Sequence, residues 1–267
     1  HGSTTPVDVT SVRMSGNPDW WYTRQEQLCR NMLQRMRELG MQPVLPGYSG
    51  MVPNSMAGKS ITGINSGHII ESGGWGGFSR PDIINPSTES FTNMAKIYYE
   101  HLEALMGISE FYNMDPFHEG GVPTGKVTIE QCYTGVMAGL DNYFNEVDKS
   151  DANISEKKET YNTPEKAKWM VQYWQNLPLQ AAFEVMDDNY ADRFIALDLF
   201  SENTYNGQHS KWDEPAWFAG CDFVYCMLHN FGGRSGLHGR MQNLAEGYFA
   251  AEQRATCKGI GATPEGI

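Results

Sequence analysis

RFIALDLFSE, residues 193–202, reads as a short covered strand running straight into a turn that carries two acids. Its apolar run from Phe194 to Leu197 is unbroken, the pattern of a strand in a parallel sheet covered on both faces. The same kind of segment recurs on either side: EFYNM at 110–114, KWMVQYW at 168–174 and DFVYCMLHNF at 222–231, with shorter extended stretches at MQPVLP (41–46) and near 256–261. Helical spacing of apolar residues fills the intervals, over 21–39, 90–106, 129–147, 179–189 and 236–254. In the first of these Leu28, Met32, Leu33, Met36 and Leu39 recur at helical spacing and Gly40 supplies a stop. The two prolines of MQPVLP place that strand at an edge or terminus.

Strand, loop and helix alternating in this way predict an α/β fold with a parallel sheet under helices. No Gly-rich fingerprint follows any strand, which disfavours a dinucleotide-binding sheet and favours a (β/α)8 TIM-barrel-like catalytic domain, here incomplete, with about six of the eight units. Residues 1–267 are then one partial barrel, interrupted by a polar surface insertion, DKSDANISEKKETYNTPEK, near 147–165. A second feature breaks the alternation. Residues 47–90 are rich in Gly, Ser, Asn and Pro and too long for an idle connection, so they form a candidate functional loop.

Composition narrows the partners. Against 20 Lys and Arg stand 32 Asp and Glu, a formal charge of −12, with no basic cluster; nucleic acid is not an expected partner. No apolar run is long enough for a membrane span. The five cysteines are scattered without a C-x-x-C pair, which disfavours a zinc ribbon or a disulfide framework; Cys221 and Cys226 read as small buried thiols. Neither G-x-S-x-G nor G-x-x-x-x-G-K-[ST] occurs, leaving acyl transfer and nucleotide hydrolysis without support.

Two strands end alike, in Asp115-Pro-Phe-His-Glu119 and Asp198-Leu-Phe-Ser-Glu202. In a parallel barrel the C-terminal strand ends open onto one face, so Glu119 and Glu202 should reach its mouth from different strands. Paired carboxylates suit glycosidic cleavage, where one protonates the leaving oxygen and the other meets the positive anomeric carbon. Asp115 and Asp198 read instead as turn or cap residues. Gln172 and Trp174 end one strand and Asn230 and Phe231 another, placing polar and aromatic side chains at the same mouth. Trp75, between glycine pairs in ESGGWGGFSRP, is a ligand platform or a loop plug. His118, His229 and His238 with Glu119 leave a metal-dependent hydrolase as a competing reading, though no H-E-x-x-H spacing occurs. A carbohydrate-binding barrel without catalysis is another.

The motifs WYTRQEQL (21–28), RELGMQPVLPGYSGMVP (37–53), YNMDPFHEGG (112–121), ALDLFSEN (196–203), CMLHNFGGRSGLHGRM (226–241) and GATPEGI (261–267) together resemble the catalytic barrel of glycoside hydrolase family 89, the α-N-acetylglucosaminidases. The resemblance implies a retaining hydrolase that removes terminal α-linked N-acetylglucosamine from glycans, without metal or cofactor. Matched motif by motif, it makes Glu119 the acid/base and Glu202 the nucleophile. It places Trp75, Trp174 and Phe231 near the pocket, and His118 stands where the lysosomal branch has Asn. It also implies a secreted, periplasmic or lysosomal location. Against the family's architecture the first two strands, a small N-terminal domain and a helical C-terminal domain are expected to be absent, and the isolated chain is expected to be inactive.

Overall fold

A computed structural model of the chain describes residues 17–56, 59, 62–71, 74–75, 77–114, 126–150, 167–173, 191–204, 221–229, 240–254 and 256–263. The fold divides into two compact units: residues 1–112 with 116–167, and residues 113–115 with 168–267.

The first unit opens with helix α1 (Asp19–Glu38). Gly40 adopts a φ of +75°, and the Gly40 and Met41 N–H groups turn back to the carbonyls of Arg37 and Met36, closing the helix with paired left-handed-cap bonds. The helix forms where the apolar spacing predicts it, but its burial differs from that pattern. Leu33 is buried, whereas Leu28, Met32 and Leu39 are each more than half exposed. The cause is angular: Met32 lies about 100° around the helix from Leu33. The stripe facing helix α2 (Glu89–Met106) is anchored by Arg30 and Arg37, which donate to the carbonyls of Ala104 and Met106 at its C-terminal end.

Strand β1 (Val44–Pro46) follows, with its neighbour β7 (Phe111–Asn113) after α2. Among the described residues between β1 and α2, β2 (Met51–Val52), β3 (Ile69–Ile70) and β6 (Asp82–Ile84) make a small antiparallel sheet with β6 central. A hairpin of β4 (Gly74–Trp75) and β5 (Phe78–Ser79) projects from the same stretch. Helix α3 (Ile129–Ser150) packs on α2 and on Pro86 just before it through two glycines. A Cβ on Gly135 would meet the Pro86 carbonyl oxygen at 2.3 Å, and one on Gly139 would meet Phe91 at 2.9 Å and Ala95 at 3.1 Å. The helix runs three residues past the predicted end at Val147, taking the start of the polar insertion into its last turn; the rest of the insertion, 151–165, lies outside the described residues. Between the helices and β7, Tyr48, Phe91, Tyr98, Tyr99, Tyr112, Tyr143 and Phe144 form a contiguous ring cluster. Much of the chain's high aromatic content is therefore core.

Strand β7 is shared between the units, and its last residue opens the second. There β8 (Lys168–Tyr173), β9 (Phe194–Asp198), β10 (Asp222–Met227) and β11 (Cys257–Ala262) pair in parallel and in chain order. The short helix α4 (Ser201–Thr204) follows β9, and α5 (Met241–Glu252) precedes β11. Register puts Tyr173, Asp198 and Tyr225 in one row on a buried face. Helix α5 packs on that face at Tyr225, whose hydroxyl donates to the Asn243 carbonyl and whose ring meets Tyr248. Gln172, Leu197 and Val224 form a row on the opposite face. Cys221 and Cys226 are buried free thiols, as read from the sequence. This parallel α/β arrangement matches the fold class expected.

Candidate active site

Glu202 sits on α4, four residues beyond the C-terminal end of β9. Its side chain is fully buried, a rare state for a carboxylate. The parallel ladder between β9 and β10 ends where Asp198 faces Tyr225. Along β10 the odd-numbered groups serve β11: the Phe223 N–H donates to the Thr256 carbonyl, and the Met227 carbonyl accepts from Thr263. The even-numbered N–H groups therefore point toward β9.

Past the end of the ladder those N–H groups would have lost their acceptors. The Cys226 N–H instead donates to the Ser201 hydroxyl at 3.3 Å, and the Leu228 N–H to Oε1 of Glu202 at 3.3 Å. Two side chains of α4 thus continue, as acceptors, a ladder that the β9 main chain has left. The Ser201 hydroxyl also donates to the Asp198 carbonyl at 2.9 Å, and Nδ2 of Asn243 on α5 donates to the Glu202 carbonyl at 3.1 Å. Helix α4 is tied to β9, β10 and α5.

Oε2 of Glu202 accepts no hydrogen bond among the described residues although it is buried. A buried polar atom left so is costly, and in a native fold it calls for a chemical reason. Burial pushes the Glu202 carboxyl up from its ordinary 4.5 to about 7. Its own main-chain N–H, then the Leu228 N–H and the positive charge of Arg240, pull it down, while the negative field of Asp198 pushes it further up. Near neutrality this group can exist as acid or as carboxylate, so it can give a proton, take one or attack.

Of the other residues singled out in the sequence, Gln172 lies one residue before the end of β8, opposite in facing to Asp198. Trp75 belongs to the β4–β5 hairpin, paired with Phe78. His118, Glu119, Trp174, Asn230 and Phe231 lie outside the described residues. Ser201, Asn243 and the Leu228 N–H were not singled out. A serine beside a glutamate after a strand is common, and a main-chain donor leaves no mark in the sequence. Two cavities in the first unit, of about 250 Å³ between α1 and α2 and about 430 Å³ between the N-terminal ends of α2 and α3, have no buried acid lining them.

Residues 10–267 match a family described as the alpha-N-acetylglucosaminidase (NAGLU) TIM-barrel domain. The chain is also similar to the human (Homo sapiens) alpha-N-acetylglucosaminidase, with 27% identity over 257 residues, covering 94% of this chain and 32% of that protein. The chain thus spans about a third of the length of this curated relative.

Proposed function

The chain belongs to the alpha-N-acetylglucosaminidase TIM-barrel domain family, and we propose that the protein carrying it is a glycoside hydrolase that removes terminal α-linked N-acetylglucosamine from glycans. The observation that carries this reading is Glu202: a fully buried carboxyl at a parallel strand end, one oxygen fixed by a main-chain N–H and the other accepting nothing among the described residues. In a parallel barrel this end of the strands is where catalytic groups gather.

The mechanism proposed is a double displacement. Glu119 protonates the glycosidic oxygen as the Glu202 carboxylate attacks the anomeric carbon, so the bond to the leaving group breaks as a glycosyl ester forms. Water, deprotonated by Glu119, then attacks the same carbon and releases Glu202 and a sugar of α configuration. This route requires the two carboxyl groups about 5–5.5 Å apart, whereas inversion needs about 6.5–9.5 Å. The raised pKa of Glu202 suits an acid as well as a nucleophile, so the division of roles rests on the family motifs. Only the ionised carboxylate attacks, so kcat/KM should climb with pH through an ascending limb set by Glu202.

Gln172, Trp174, Asn230, Phe231, Trp75 and His118 are proposed to line the sugar pocket. The location proposed on the family resemblance is secreted, periplasmic or lysosomal; no helix among the described residues is long and apolar enough to cross a membrane. The 267-residue chain by itself is expected to lack turnover, because the six strands of the main sheet among the described residues do not complete a barrel of eight. The direct test is release of 4-nitrophenol from its α-N-acetylglucosaminide by the full-length protein. Wild-type turnover abolished in Glu202→Gln supports the reading, and wild-type inertness refutes it.

A further inference from the structure

On the side that faces β9, one N–H of β10 and one of the segment just beyond it reach two consecutive side chains of α4. Cys226 donates to Ser201, and two residues on, Leu228 donates to Glu202. Ser201 is fully buried, and its hydroxyl joins the Asp198 carbonyl, the last residue of β9, to the Cys226 N–H of β10. Because successive N–H groups on one edge of a strand are fixed two residues apart, whichever group seats on Cys226 determines what can seat on Leu228. From this we infer that Ser201 is a positioning residue for hydrolysis: its hydroxyl sets the register of α4 on β10 and so holds the Glu202 carboxylate on the Leu228 N–H. The inference rests on the proposed function of Glu202.

Removing the hydroxyl leaves the Cys226 N–H without its acceptor and α4 without its seat on β10. Glu202 then loses its fixed place on the Leu228 N–H. A glutamate so displaced no longer meets the anomeric carbon, and a misplacement of about 1 Å can cost about a hundredfold in rate. Binding of the sugar, made by other groups, is left nearly intact. A second consequence separates this from a general loosening of the fold. The Leu228 N–H favours the charged form of Glu202, so its loss moves the carboxyl to higher pKa. Among the described residues the titratable and charged groups that act on this carboxyl are Asp198 at the end of β9, Cys226 on β10 and Arg240 before α5. Ser201→Ala changes the charge of none of them.

The test compares the full-length wild type, Glu202→Gln, Ser201→Ala and Ser201→Cys on 4-nitrophenyl α-N-acetylglucosaminide across pH. Cysteine keeps an atom in the place of the hydroxyl oxygen but is a weak acceptor, so it serves if the alanine variant does not fold. Expected is a fall in kcat of about tenfold or more, KM within about twofold of wild type, and an ascending limb of kcat/KM displaced to higher pH. A kcat within about twofold of wild type, or a fall in kcat with the limb unmoved, overturns the role of Ser201. An inert wild type, or undiminished hydrolysis by Glu202→Gln, would instead remove the proposed function on which that role rests.

Discussion

Leu228 and Glu202 are joined by a main-chain to side-chain hydrogen bond of 3.3 Å formed beyond the point where β9 and β10 cease to pair. The donor is the N–H of the residue that follows β10, where a continuing ladder would have offered a carbonyl of the next strand. The acceptor is a carboxylate on a four-residue helix. This exchange of a carbonyl for a carboxylate keeps the ladder satisfied while presenting an acid at the strand end, and it makes the acid sensitive to its surroundings.

Stability should carry the mark of that acid. The folded-state pKa of Glu202, about 7, lies above its ordinary 4.5, so between these values the folded protein holds a proton that the unfolded chain has released. The stability this contributes is complete below about 4.5 and is lost as pH rises through about 7, a change of about 3 kcal/mol at 1.36 kcal/mol per unit. Glutamine does not titrate. Relative to wild type, Glu202→Gln should therefore gain up to about 3 kcal/mol on going from about pH 4 to about pH 8. Denaturant unfolding of both proteins at the two pH values measures it, and parallel pH dependences would remove burial as the source of the shift.

The seat of α3 on α2 and on the preceding Pro86 depends on the absence of two side chains. Gly139→Ala should destabilise the protein by about 1–3 kcal/mol, because Phe91 and Ala95 must yield to the new methyl. Gly135→Ala should cost more, since the obstacle there is the Pro86 main chain, which cannot rotate away. Thermal unfolding of the two variants gives the order; Gly139→Ala equal to or worse than Gly135→Ala would contradict this packing.

The role proposed for Glu119 is separable from that of Glu202 by the leaving group. Glu119→Ala should reduce turnover of an alkyl α-N-acetylglucosaminide far more than that of a 4-nitrophenyl or dinitrophenyl one, whose leaving oxygen needs little protonation. Equal losses on both kinds of substrate would count against its being the acid.

The strands were legible because their apolar runs are nearly unbroken: the runs at 168–174, 193–200 and 222–231 contain β8, β9 and β10 with ends shifted by a few residues, although burial alternates along each strand and the second face is only half-buried, not covered as the runs suggested. The helix over 21–39 was legible too, but not which of its apolar residues meet α2. Periodicity reports a face, and only the partner helix selects Leu33 over Met32. The small sheet and hairpin within 47–90 have strands of two or three residues, too short for any period to register. At the site, Glu202 stood out through its place after a strand and its repeated Asp-x-Phe-x-Glu setting. Its anchorage did not, since the Cys226 and Leu228 donors are main-chain groups whose direction is fixed only when β9, β10 and β11 are assembled.

The central claim is that Glu202 attacks the sugar, and covalent capture tests it most directly. A fluorinated α-N-acetylglucosaminyl substrate with an activated leaving group slows release of the intermediate, and peptide mass mapping of the full-length protein then locates the added sugar. The account predicts the adduct on the peptide that contains Glu202, and its absence from Glu202→Gln. Sugar attached at Glu119 instead, or turnover that yields the inverted anomer with no adduct on any residue, would contradict it.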